Sequence, residues 1–245
     1  MAHSVYRHEY KYLISKAEMI DMQIRMRPYF KLDPHAGENG YIIRSIYFDD
    51  YWNSAYEEKD MGVFNRKKYR IRFYDFNDEV IHVERKKKAG AYIYKESAPI
   101  THEELDKILN GDYEFLLKKD NNLLREFYYE CMTNVLRPRV IVDYDRVPYI
   151  MDYGTVRITF DEKVRAASVY GDNVFDKDGM SMEVLEPNKL ILEVKYTEFL
   201  PRIVQDMIPG GAKEFTAASK YVMCCDKLMY LHDYGYWYEN GERKW

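Results

Sequence analysis

Alternation with a period of two residues, repeated along most of the chain, is the strongest constraint on its fold. In "NRKKYRIRFYDF", residues 65–76, Lys68, Arg70, Arg72 and Tyr74 share one face while Tyr69, Ile71 and Phe73 share the other. That spacing belongs to a β-strand with one buried side. The same reading predicts eight strands, at 5–14, 41–49, 67–76, 79–88, 91–98, 138–150, 155–163 and 188–197. "NDE" after the third strand and "DYG" after the sixth supply hairpin turns. Helical signals fall between strands. Ser15 with Glu18, and Thr101 with Glu104, match the capping box and open helices to about Tyr29 and Asn110. Further helices are expected over 114–136, from Pro201 to about Ile208, and over about 213–232. The loops at 33–40 and 170–187 are the best insertion sites. With no repeat or low-complexity linker, the pattern predicts one α+β domain over 1–245. Eight mostly antiparallel strands can close into a β-barrel with peripheral helices, which removes exposed edges.

The polar faces of these strands are unusually cationic. Arg7, Glu9 and Lys11 lie together on the first strand, and His82, Glu84, Lys86 and Lys88 lie together on the fourth. Glu193 and Lys195 share a face near the end, and Arg157, Thr159, Asp161 and Lys163 share one on the strand before it. Arg44 is different, since its face also carries Ile42, Ile46 and Phe48. Arg146 is opposite in parity to Asp143 and Asp145. One strand at a time, such a face reads as an ordinary solvated side. Several together, rich in Arg, read as the lining of a cavity for anions, because the guanidinium fork matches phosphate. A lumen of that composition repels itself when empty, and a few Glu in it suit a divalent cation that bridges phosphates.

The bulk charge narrows the partners. With 37 basic and 41 acidic residues the net charge is −4, so any anion site is local and a nucleic-acid partner is not expected. No apolar run is long enough to span a membrane, and "MAHSVYRHEYKYLIS" lacks the apolar core of a secretory signal. The 3 cysteines, Cys131, Cys224 and Cys225, make neither a disulfide framework nor a zinc site, so a reducing, cytoplasmic location is expected. The histidines, His8 and His82 among them, read as packing or hydrogen-bonding residues rather than nucleophiles. The aromatic "YGYWYENGERKW" at the end reads as a docking tail, open to an unidentified protein partner.

In order, "RHEYKYLI", "RSIYFDD", "RKKYRIRFY", "VERKKK", "DYDR", "VRITFDE", "ILEVKY" and "SKY" resemble the catalytic domain of the vacuolar transporter chaperone (VTC) proteins. Their bacterial relatives belong to the triphosphate tunnel metalloenzymes. The resemblance runs from about Val5 to Tyr230. It implies a polyphosphate polymerase that moves the γ-phosphoryl of ATP to a growing inorganic polyphosphate chain, inside an eight-stranded tunnel, with Mn²⁺ or Mg²⁺. Carried over by position, it implies that Arg70, Arg72, Lys86, Arg146 and Arg157 work on the transferring phosphates. Lys11, Arg44, Lys59, Lys195, Lys213 and Lys220 would hold nucleotide or chain phosphates, and Glu193 with Glu9 would hold the metal. Two positions depart from the pattern. Arg7 stands where related triphosphatases have a glutamate, which favours polymerase over hydrolase. Ala217 stands where a lysine is common, and Lys213, one helical turn earlier, can supply that charge. Two other classes remain open: a CYTH-like triphosphatase or cyclase, and a non-catalytic module that binds polyphosphate or nucleotide.

Overall fold

The computed structural model describes residues 8–89, 92–170, 173–212 and 219–229. The first half runs β1 (His8–Ser15), α1 (Lys16–Met26), β2 (Lys31–Leu32), β3 (Tyr41–Asp49), α2 (Ser54–Asp60), β4 (Asn65–Tyr74), β5 (Asn77–Ala89) and β6 (Tyr92–Ile100). Then come α3 (His102–Leu109), α4 (Asn122–Thr133), β7 (Arg137–Met151), β8 (Val156–Ala167), β9 (Ser181–Glu183) and β10 (Lys189–Tyr196). Two helices, α5 (Arg202–Met207) and α6 (Lys220–Met229), follow.

Among the described residues these strands make one antiparallel sheet in the order β1-β10-β8-β7-β3-β4-β5-β6, with β2 beside β7 and β9 beside β8. The eight-strand path is the expected α+β architecture. Closure is different from expectation: no ladder joins β1 to β6 among the described residues. The sheet curls until side chains meet, and the Lys86 Nζ of β5 lies 3.5 Å from the Glu9 Oε2 of β1.

Three apolar clusters hold the curl. On the outer face, Phe48, Tyr69, Ile71 and Phe73 pack against Leu105, Leu124 and Phe127 of α3 and α4. Elsewhere on that face, Met19, Met22 and Met26 of α1 cover Ile158, Leu192 and Val194. The third cluster is on the inner face. There α6 places Tyr221, Cys224 and Cys225 against Ile43, Val140, Val142, Val164 and Ile191. Burying these side chains supplies the main driving force, and it also divides the interior. One part is filled by a helix and dry; the rest is charged and hollow.

Local chemistry explains the helix ends. Ser15 and Thr101 each complete both bonds of a capping box. The expected helix over 114–136 is split, because the Asn121 side chain accepts from the amides of Leu123 and Leu124 and starts α4 there. Residues Glu114–Lys118 form a separate 3₁₀ turn. Helix α2 shows little sign in the sequence; its first amides are taken by carboxylates four and six residues upstream, Asp50 accepting from Ser54 (2.9 Å) and Asp49 from Ala55 (2.8 Å). Loop 33–40, expected to tolerate insertions, is tightly packed at both ends. The Asp33 amide donates to the Pro148 carbonyl at 3.0 Å. Gly40 has φ +82°, and a Cβ there would lie 2.0 Å from the Arg146 carbonyl oxygen.

Candidate functional site

The hollow part of the interior is a cavity of about 450 Å³. Strand β4 contributes a row at two-residue intervals: Arg66, Lys68, Arg70 and Arg72. Beside them on the ladder, β5 gives Lys86 and Lys88, while β10 gives Glu193 and Lys195 and β1 gives Glu9 and Lys11. Tyr144 and Arg146 of β7 form the deep wall, with Lys220 and Tyr221 of α6 closing one side. Strand alternation is what aims these side chains inward. Ten basic side chains thus face two carboxylates.

The groups hold one another in fixed orientations. Arg146 grips Asp161 with both arms, at 2.6 Å each, and reaches Glu193 Oε2 at 3.3 Å. Lys220 Nζ lies 2.5 Å from Asp161 and 3.1 Å from Glu193. Lys195 meets the same Glu193 at 2.7 Å. Arg70 forks between Glu84 (2.6 Å) and the Tyr47 hydroxyl (2.8 Å). Arg72 donates to Ser45 Oγ and to the Tyr144 hydroxyl, both at 3.1 Å. The rings of Tyr144 and Tyr221 carry cations above them: Lys220 stands 4.7 Å from the first and Lys68 4.6 Å from the second.

Burial pushes the Glu193 carboxyl up, but Lys195, Lys220, Lys11 and Arg146 outweigh it and hold the group well below the usual carboxylate range. Glu9 behaves likewise: burial raises it, yet Lys195, Lys86 and Lys11 bring it to about 2. Lys86 moves the other way. Burial, with the repulsion of Lys11 and Lys195, exceeds the pull of Glu9 and lowers it to about 8. Within this cationic lining Lys86 is thus an ammonium pulled down to about 8.

Most of the expected site residues come together here. Lys11, Arg70, Arg72, Lys86, Arg146, Lys195, Lys220, Glu9 and Glu193 all line the cavity. Two do not. Arg44 is on the outer face, where its parity with Ile46 and Phe48 puts it, and it is bound to Asp143 at 2.7 Å and to the Val174 and Asp176 carbonyls. Arg157 has inward parity but sits at the start of β8, where Asp33 captures it at 2.9 Å outside this cavity. Arg7, Lys213, Ala217, the side chain of Lys59 and the final aromatic tail lie outside the described residues. Strand parity put Lys68 and Lys88 on the cationic faces without giving them a site role, and sequence reasoning passed over Arg66, although it continues the same alternation. It also passed over Tyr47, Tyr144 and Tyr221, which look apolar in a pattern but turn hydroxyls or ring faces to the guanidinium and ammonium groups.

The carboxylates fit a metal only together with a ligand. Among the described residues no three His, Cys, Asp or Glu side chains cluster as a metal cage. Glu9 Oε1 and Glu193 Oε1 do converge on one point, now held by the Lys11 ammonium at 3.2 and 3.6 Å. Beside Glu193 on the ladder, Thr159 keeps a buried hydroxyl oxygen without a partner. This is an all-oxygen donor set, suited to Mg²⁺ or Mn²⁺ when phosphate oxygens and water complete the shell.

No helix among the described residues is long and apolar enough to cross a membrane. Comparison with curated protein sequences gives no match. Among solved structures, the chain is similar to HpAC1 from Hippeastrum, a candidate adenylyl cyclase with a dominant triphosphatase activity. The identity is 14%, over 89% of this chain and 95% of that one, with a TM-score of 0.52. It is also similar to a candidate adenylate cyclase from Bacillus halodurans, at 12% identity over 79% of this chain and 83% of that one, with a TM-score of 0.45. The first likeness shows a common tunnel fold. The sequence profile of the VTC domain matches residues 6–229, and the chain belongs to that family.

Proposed function

We propose that this protein is an ATP-dependent polyphosphate polymerase, which transfers the γ-phosphoryl of ATP to an inorganic polyphosphate chain in the basic tunnel. The observation that carries the reading is the excess of ten cationic side chains over two carboxylates around one cavity. Phosphoryl transfer asks a protein mainly for alignment and for fixed positive charge around the moving group. Arg70 and Arg72 are already oriented by Tyr47, Ser45 and Tyr144, so they need little reorganisation to meet phosphate oxygens. Arg146, Lys220 and Lys195 neutralise charge on the deep side, while Arg66, Lys68 and Lys88 extend the cationic wall toward the mouth. An already ionised phosphate terminus is the acceptor, so no general base is required. Glu193 and Glu9 would hold Mn²⁺ or Mg²⁺, and the cation would supply positive charge to offset that of the donor phosphates.

A hydrolytic reading is second, favoured by the fold shared with the Hippeastrum protein. It would use the same walls with water as acceptor. The test is incubation of the protein with ATP and Mn²⁺ or Mg²⁺, with products separated on a gel. A ladder of polyphosphate supports the polymerase. Free phosphate alone supports the hydrolase, and binding of polyphosphate without turnover leaves a binding module.

A further inference from the structure

Asp49 ends β3 and is 4% exposed, yet it does not line the tunnel. Both of its carboxylate oxygens are in use. Oδ1 accepts from the amides of Asp50 and Ala55, at 3.0 and 2.8 Å, and Oδ2 accepts from the amide of Tyr56 at 3.1 Å. Two of these bonds start α2. The remaining bond leaves the segment altogether, for the Tyr221 hydroxyl of α6 donates to the same Oδ2. A cap needs only the amides, so this last bond has to be explained by what Tyr221 does.

Tyr221 is where the tunnel wall meets α6. Its ring stacks on Tyr47 of β3, with centroids 5.1 Å apart, and the Lys68 ammonium stands 4.6 Å from its centre. Lys68 also donates to Ser219 Oγ at 3.3 Å. The Tyr47 hydroxyl in turn accepts from Arg70 at 2.8 Å. The residue before Tyr221 is Lys220, bound to Asp161 and Glu193 at 2.5 and 3.1 Å. The tunnel cations Lys68, Arg70 and Lys220 are thus arranged around one ring. That ring belongs to the first turn of α6, and helix ends fray most readily. A hydrogen bond to a buried carboxylate is among the strong ones, and this one pins the turn from outside the cavity.

We propose that Asp49 is a positioning residue for phosphoryl transfer: through the Tyr221 hydroxyl it fixes the ring beneath Lys68 and the direction in which α6 presents Lys220. Asp49 touches no phosphate itself. The inference rests on the reading that the basic tunnel transfers phosphoryl groups, and it adds a residue outside the tunnel that aligns cations inside it. Alignment sets the rate of transfer, whereas summed charge sets how well the anion binds. Loss of the bond should therefore lower kcat more than it raises KM.

The test assays ATP turnover with Mn²⁺ or Mg²⁺, each variant at a temperature where thermal melts show it folded. Tyr221→Phe removes the hydroxyl but keeps the ring and leaves the cap of α2 intact. Its kcat should fall about 10-fold, with KM for ATP changed less than about twofold, the pattern of lost orientation. Asp49→Asn should do the same, and the double variant should lose no more than Tyr221→Phe alone, because Asp49 acts through that hydroxyl. Tyr56→Phe is the control. It removes a different bond that holds α6, from the Tyr56 hydroxyl to Asp226 at 2.6 Å, and should lower the melting temperature without lowering kcat. If Asp49→Asn fails to fold, Tyr221→Phe and Tyr56→Phe still decide. Parental kcat in folded Tyr221→Phe, or an equal loss in Tyr56→Phe, overturns the positioning role, and so does a further loss in the double variant. A parent that turns over no ATP with either metal overturns the transfer reading, and this inference with it.

Discussion

Lys220, the first residue of the helix that fills the dry part of the interior, stands 3.1 Å from Glu193 of β10. Glu193 also meets Lys195, Arg146 and Lys11. One carboxylate thus restrains four cations. Glu193→Gln leaves them to repel one another, and removing a buried ionic partner of this kind should cost roughly 3 kcal/mol. Thermal unfolding should show the loss. Added tripolyphosphate should recover much of it, since a bound anion replaces the missing charge. A variant as stable as the parent would mean that the four cations do not depend on Glu193.

Arg72 separates orientation from charge. It is buried and donates through two different nitrogens to Ser45 and Tyr144. Arg72→Lys keeps the charge but not the fork. Polyphosphate affinity should change little, while ATP-dependent transfer should fall on the order of 100-fold, the scale of losing an oriented electrostatic contact. Arg72→Ala should weaken both. Equal losses of affinity and turnover in the Lys variant would contradict the orienting role.

Lys86 gives the tunnel a proton signature. Burial and its cationic neighbours bring it to about 8, so near that pH it is only partly charged. A bound polyanion favours the charged form and raises its pKa. Binding at about that pH should therefore take up a proton, measurable by calorimetry in buffers of different ionisation heat. In Lys86→Arg the uptake should vanish. No uptake by the parent would remove Lys86 from contact with the anion.

Acid should loosen the fold in a defined window. Burial pushes Glu9 and Glu84 up, but the cations around each prevail, Lys195 first for Glu9 and Arg70 first for Glu84, and both sit at about 2 instead of 4.5. Between those values the unfolded chain binds more protons than the folded one, so stability rises with pH. The contribution is fully present above about 4.5 and is lost as pH falls toward 2. Denaturant melts from pH 5 to 2 should show a steady decline, shallower in Glu84→Gln. A flat profile would rule this out.

The eight strands of the main path were legible because period two survives in most of them, while β2 and β9, the latter inside the expected loop 170–187, are too short to show a period; parity alone aimed Arg70, Arg72, Lys86 and Glu193 at a common space. Arg44 shows the same rule at work against the family pattern: its neighbours Ile46 and Phe48 already marked an outward face. Arg157 shows what parity omits. Alternation assigns a face but not a level along the strand, and the capturing Asp33 comes from a loop far away in sequence. Helix α2 was hidden for a related reason, since Asp49 and Asp50 cap it from a turn's distance. The tyrosines of the tunnel were missed because a ring and a hydroxyl give one letter two meanings.

Among the described residues no ladder joins β1 to β6, and a charge pair lies across that seam. Lys86, on the strand next to the β6 end, reaches Glu9 of β1 at 3.5 Å. A phosphate that engages Lys86 competes with Glu9 for the same ammonium, so occupancy and the tightness of the seam are coupled through one side chain. A hydrogen-bonded barrel would keep its girth whatever it contained. Here a guest that engaged Lys86 would loosen the clasp that surrounds it, and the wall would be free to give sideways as the contents grew.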